Sequence, residues 1–138
     1  MRKIEIKNTD GKVIYTFEAE NATIKDAVQD AVKNDANLKY ANLENANLER
    51  AELSYAKLWG ANLSGANLSG ANLSGAELVY ANLWCANCVC ANFHDADLRF
   101  ANLSDTEFCF ANLKNTYLKF TNYKYAKLSG VSIKSAIL

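Results

Sequence analysis

From Ala36 to Leu138 the polarity of the chain repeats every five residues: apolar, polar, apolar, then two variable positions. The unit is clearest in Ala61-Asn62-Leu63-Ser64-Gly65, which recurs without interruption at Ala66 and again at Ala71. In this register there are 21 pentads, the last truncated, with alanine first in 17 and leucine third in 16. Neither the period of a helix nor that of a long strand fits such a frame, so internal repetition governs this region. Within a unit Ala61 and Leu63 stand two apart, which puts both on one side of an extended segment and Asn62 on the other. Ser64 and Gly65 are turn formers. A chain that turns the same way every five residues, always with Ala and Leu inward, winds into a coil around its own side chains.

Residues 1 to 35 fall outside the frame. Ile4 and Ile6 alternate with charged residues, Asn8-Thr9-Asp10-Gly11 is a turn signal, and Val13, Tyr15 and Phe17 alternate again, which predicts a β-hairpin. Thr23 followed by Asp26 reads as a capping box, and Ile24, Ala27, Val28, Ala31 and Val32 share one face of a helix ending near Asn34. An isolated hairpin is marginal in water. The first coil, for its part, would expose Leu38, Leu43, Leu48 and Leu53 and unpaired strand edges unless something covered them. Residues 1–35 are therefore expected to form an N-terminal hairpin-helix cap on a single folding unit, 36–138.

The pentads resemble the pentapeptide-repeat family, and the resemblance covers 103 of 138 residues. It implies an all-β solenoid, a right-handed quadrilateral β-helix with four pentads per coil and about five coils, roughly 25 Å long at the spacing of stacked strands. At twenty-residue spacing Asn42, Asn62, Asn82, Asn102 and Asn122 form one column. The resemblance also implies two modes of action found among members. Some pair through their C-terminal coils, and some imitate duplex DNA and bind DNA gyrase or other type II topoisomerases, inhibiting them or protecting them from quinolones.

Length and composition assign one domain. The chain has no proline, no apolar run long enough to span a membrane and no secretory segment after Met1, so the cytoplasm is the default location. Net charge is zero but unevenly spread. Residues 36 to 110 hold eight acids against four bases, whereas 111 to 138 hold five lysines and no acid. Such a run is ordinarily a solvated face; its functional reading is a basic end that meets an acidic partner or nucleic acid. No aromatic-basic motif sharpens it, and direct nucleic-acid binding is not expected. DNA mimicry needs a strongly negative rod, which this chain lacks. The reading is a non-enzymatic scaffold that mediates protein-protein interaction or self-association with an unknown protein partner; the alternative is a gyrase-binding DNA mimic.

Candidate chemistry is sparse. Cys85, Cys88, Cys90, His94 and Cys109 cluster in sequence, but a zinc site needs four ligands converging on one point. The register points Cys88 inward and Cys85 and Cys90 outward on successive corners, so no metal or cofactor is expected. Cys90 and Cys109 fall on one side in adjacent coils, the only pair placed for a disulfide under oxidising conditions. His94, the sole histidine, is followed by Asp95 and projects outward at the fourth position, where the register implies no concave pocket, so no catalytic residue is expected. Cys88, Phe93 and Phe108 interrupt the leucine column as packing residues.

Two surfaces remain. Tyr40, Tyr80, Phe100 and Phe120 share a fifth-position column with Gly60, flanked by Trp59 and Val79 at the fourth position. This side is either an aromatic ladder that stabilises the rod or a partner-binding face. At the C-terminal end, Leu118, Tyr123, Leu128, Ile133 and Leu138 would face water with no capping helix. Either two chains stack there as a homodimer, or the chain is a shortened form of a longer protein.

Overall fold

The computed structural model describes residues 1–138. Strand β1 (Arg2–Lys7) pairs antiparallel with β2 (Val13–Ala19). Asn8 closes the turn between them, its Oδ1 accepting the N–H groups of Asp10 and Lys12 at 3.0 and 2.9 Å. The alternation read from sequence fails at one point. Register shifts between Ile6 and Lys7, so that Ile6 faces Tyr15 while Lys7 faces Val13. The extra residue of this bulge is Ile14, which turns toward the core and leaves Val13 exposed.

Helix α1 (Ile24–Lys33) begins with the capping box: Thr23 Oγ1 accepts the Asp26 N–H at 3.2 Å and Asp26 Oδ2 accepts the Thr23 N–H at 2.9 Å. Hydrogen bonds from the Thr23 side chain and backbone hold the Asp26 carboxyl below its ordinary pKa. The helix ends at Asn34, followed by Asp35 at positive φ. Ala27, Val28 and Ala31 are fully buried, with Ile24 and Val32 packed at the margin. Tyr15 Oη donates to Asp30 Oδ2 at 2.5 Å, which ties β2 to α1.

Beyond residue 36 no long strand forms. Each pentad instead contributes one bridging residue, paired in parallel with the residue twenty positions on: Asn42 with Asn62, Asn62 with Asn82, Asn82 with Asn102 and Asn102 with Asn122. One turn of this solenoid therefore takes four pentads. Three hydrogen bonds per pentad join consecutive turns, as with Leu63 N–H to the Asn82 carbonyl (2.7 Å), Gly65 N–H to Trp84 (2.8 Å) and Asn82 N–H back to Ala61 (2.9 Å). Each corner is a β-turn in which the next first-position N–H donates to the third-position carbonyl, Ala66 to Leu63 at 3.0 Å, with the fifth residue left-handed. Gly60 adopts this conformation at φ +65°, and the Tyr40 ring fills the space where its side chain would be.

First and third positions point inward, as the repeat implies. Leu38 through Leu83 at the third position are essentially inaccessible, and Cys88, Phe93 and Phe108 continue the same core. The Phe93 and Phe108 rings meet edge to face at 5.6 Å. Burial raises the Cys88 thiol far above the ordinary thiol range. Where threonine replaces alanine, at Thr106 and Thr116, the buried hydroxyls donate to the Leu83 and Phe93 carbonyls at 2.7 and 2.8 Å.

The asparagine column does more than face outward. Each Oδ1 accepts the N–H two residues on, as Asn62 does from Ser64 at 3.1 Å. The amide group of Asn102 then donates to Asn82 Oδ1 at 3.1 Å, and in a second column that of Asn112 donates to Asn92 Oδ1 at the same distance. Serine at the fourth position joins the same acceptor, with Ser64 Oγ 2.7 Å from Asn62 Oδ1.

The hairpin and helix lie over the first coil. Ile6, Ala27, Val28 and Ala31 join one buried cluster with Leu38, Leu43, Leu48 and Leu53. The coil edge is met as well: Asn42 N–H donates to the Lys7 carbonyl (2.7 Å), Thr9 N–H to Tyr40 (2.9 Å), and Glu52 N–H to Gln29 Oε1 (2.8 Å). Burying each such leucine contributes about 1.5–3 kcal/mol.

Leu68 sits in the middle of this core with no accessible surface, so Leu68→Ala is expected to lower unfolding free energy by about 3–5 kcal/mol in chemical denaturation. Thr106→Val keeps the shape and removes one buried hydrogen bond. It should cost about 1 kcal/mol by the same measurement, and an unchanged midpoint would show that the hydroxyl contributes nothing.

Candidate functional site: the aromatic side and the open end

The left-handed fifth position throws its side chain outward at every corner and leans it on the corner of the next coil. In the column that begins at Tyr40 this produces a continuous ladder. Tyr40 meets Trp59 edge-on at 5.3 Å, Trp59 meets Tyr80 at 5.1 Å, and Tyr80, Phe100 and Phe120 stack at 4.9 and 5.0 Å. Trp59 occupies the rung that Gly60 leaves empty. Val79 lies half-buried beside it. Two of these contacts are edge to face and two are stacked, and Phe120 is the most exposed of the rings at 66 %. Cations border the ladder: Lys39 Nζ lies 4.5 Å from the Trp59 ring and Lys119 Nζ 5.2 Å from that of Phe120. Aromatic exposure is not confined to this side, however. Tyr55, Trp84, Phe110 and Tyr125 stand out on the other three, and the Trp84 indole donates to Asp105 at 3.2 Å.

The end of the rod is the second surface. Leu118, Tyr123, Leu128, Ile133 and Leu138 line an apolar hollow of about 240 Å³ together with Leu103, Phe108, Leu113 and Thr121. Leu103, Phe108 and Leu113 are the residues twenty positions before Tyr123, Leu128 and Ile133, so the column register itself identifies the floor of the hollow. Its rim is open, with Tyr123 61 % and Leu138 81 % accessible. Larger hollows lie at α1, one of about 490 Å³ beside Thr23, Lys25, Asn47, Glu49 and Arg50. Size does not make that one the better candidate: it is polar and open, and Lys25 Nζ already donates to the Glu49 carbonyl across it at 3.3 Å.

The remaining sequence candidates stand apart. Cys85 and Cys90 are exposed, Cys109 is half-buried, Cys88 is in the core, and all four thiols are free. The Cys90 N–H donates to the Cys109 carbonyl at 3.0 Å, so these two do occupy neighbouring strands of adjacent coils. No group of three or more His, Cys, Asp or Glu side chains is placed to share a metal ion. His94 faces Asp95, Nε2 to Oδ2 3.2 Å, and lines none of the larger hollows. Every buried side-chain nitrogen and oxygen has a hydrogen-bond partner. No helix is long and apolar enough to cross a membrane.

Comparison with known proteins agrees with this geometry. The family description "Pentapeptide repeats" matches in 8 copies over residues 34–70, 60–87 and 91–133. A search of curated protein sequences finds no match. Among solved structures, the pentapeptide repeat protein Rfr23 of the cyanobacterium Cyanothece 51142 is 30% identical, aligned over 70% of this chain and 63% of its own, with a TM-score of 0.57. HetL of Nostoc sp. strain PCC 7120, described as involved in heterocyst differentiation regulation, is 29% identical over 75% of this chain and 62% of its own, with a TM-score of 0.41. QnrB1, a plasmid-mediated fluoroquinolone resistance protein, is 18% identical over 69% and 59% of the two chains, with a TM-score of 0.43. The last two superpose too loosely to support an inference. This chain spans less than two thirds of the length of each of these three solved proteins. Repeat register, twenty-residue bridging and family match agree, and the chain belongs to the pentapeptide-repeat family.

Proposed function

We propose that this chain is a non-enzymatic interaction scaffold: a right-handed, four-sided β-helix of about five coils over residues 36–138, closed at its N-terminal end by residues 1–35 and meeting a protein partner through its open C-terminal coil. The observation that carries this reading is the unequal treatment of the two ends. At one, Leu38, Leu43, Leu48 and Leu53 lie buried beneath the hairpin and helix. At the other, their counterparts Tyr123, Leu128, Ile133 and Leu138 face solvent around an apolar hollow. A contiguous apolar patch on an exposed strand edge is what a contact surface requires.

The filled interior supports the non-enzymatic part of the reading. Alanine, leucine and phenylalanine side chains occupy the axis, and its buried polar groups are already hydrogen-bonded. The aromatic ladder fits a stabilising role better than a docking role, since each ring already packs on a neighbouring ring from the next coil.

Leu128 and Ile133 are already exposed, so Leu128→Asp/Ile133→Asp should leave the fold intact while spoiling the end surface. In affinity capture from source-cell extract, the double variant is expected to lose the specific partner that wild type retains, whereas Tyr80→Ser/Phe100→Ser keeps it. Retention of the same proteins by all three baits would remove this reading.

A further inference from the structure

The charged side chains of the last coil are all of one sign. Lys119, Lys124, Lys127 and Lys134 fall in four successive pentads, so each of the four sides contributes one lysine to the last coil. No acid occurs from residue 111 onward. Lys127 has a counter-ion in the coil below, with Nζ 2.9 Å from Glu107 Oε1. Lys119 and Lys124 instead lie over the rings of Phe120 and Tyr125, at 5.2 and 5.0 Å, and no carboxylate is paired with Lys134.

The backbone of this edge is also unbalanced. In every inner coil the third- and fifth-position N–H groups donate to the following coil, while only the first-position carbonyl accepts from it. In the last coil the same groups have no backbone partner: eight N–H groups, at Phe120 and then at the third and fifth positions through Leu138, stand beside four carbonyls, those of Thr121, Ala126, Val131 and Ala136. The edge is therefore rich in donors and positively charged, around an apolar centre.

A second copy of the chain matches this surface poorly in either orientation. End to end, two lysine rims would face each other, like charge against like, and donors would outnumber acceptors across the junction. Head to tail, the matching edge exists, since the first coil offers carbonyl groups and carries Glu44, Glu49 and Glu52 in three successive pentads. That edge, however, is occupied by its own hairpin and helix, through Lys7, Thr9, Lys25 and Gln29.

Resting on the reading of this end as the contact surface, the geometry points to a different chain as its occupant: an acidic polypeptide that offers an acceptor-rich strand edge with an apolar face. The edge supplies main-chain hydrogen bonds, the hollow takes the partner's apolar side chains, and the lysine rim selects for negative charge.

The charge claim is testable with the full chain. A charge-inverted copy, Lys119→Glu/Lys124→Glu/Lys134→Glu, serves as the acidic probe; it keeps the same donor-rich backbone edge, so its gain over a wild-type copy reads charge alone, and Lys127 is left in place to keep its pair with Glu107. At low ionic strength, sedimentation of tens-of-micromolar wild type alone should give the monomer mass. An equimolar mixture with the probe should give a one-to-one complex at least about tenfold tighter than any wild-type self-association, which corresponds to about 1.4 kcal/mol. In the complex, amide exchange at Tyr123, Leu128 and Ile133 should slow, and the complex should dissociate in about 1 M salt, where screening reaches about 3 Å.

Wild type that pairs with itself as tightly as with the probe would overturn the inference while leaving the open end as a contact surface. A mixture that stays monomeric would overturn it also, and only loss of discrimination between the capture baits bears on the broader reading. Should the inverted copy fail to fold, a salt titration of wild type decides: self-association that strengthens with salt supports a charge-limited end, and a flat or falling response overturns it.

Discussion

The left-handed residue at every fifth position is the constraint from which the rest of the solenoid follows. With the hydrogen bond that closes each corner, it bends the chain through one side of a square after only three extended residues. Inward alanine and leucine, outward asparagine and the coil-to-coil ladder are all consequences of that bend. The conformation costs little at glycine, but this chain adopts it with tyrosine, phenylalanine, cysteine, aspartate and arginine as well. What holds those residues there is the cooperation of the ladder above and below, since three backbone bonds per pentad form only if every corner turns alike. Side chains at the corners then reinforce the geometry, through aromatic stacking on one side and asparagine amides on another.

The unequal ends follow from the same ladder. A coil that pairs with neighbours on both faces has no free edge, so only the first and last coils pose a problem. At the first, a separate module of hairpin and amphipathic helix supplies both an apolar cover and donors and acceptors. An isolated hairpin is marginal in water, and here Ile6, Ala27, Val28 and Ala31 share one buried core with the solenoid. The last coil has the composition of an inner coil at its third positions and the charge of a surface at its fourth.

Much of this was legible in the sequence because the pentad is strict. The inward positions, the hairpin, the capping box at Thr23 and Asp26, and the helix end near Asn34 all follow from spacing and propensity, and the structure places them so. The five residues expected at the open end do line one hollow. What was not legible depends on small differences that periodicity does not encode. The bulge after Ile6 is a matter of one extra residue, and it exchanges the roles of Val13 and Ile14. The hydroxyls of Thr106 and Thr116 find carbonyl acceptors in the preceding coil that no local pattern announces. The asparagine column was visible as a column, yet its two-way bonding, to the backbone ahead and the amide behind, needs the distance between coils to be known.

Twenty-residue bridging sets the natural unit of change in this architecture at one full circuit. Insertion or deletion of a whole circuit would lengthen or shorten the rod while every surface residue kept its compass bearing. Gain or loss of a single pentad would leave the interior equally well filled, yet rotate everything downstream by a quarter turn, carrying the aromatic stripe around the corner and breaking it in two.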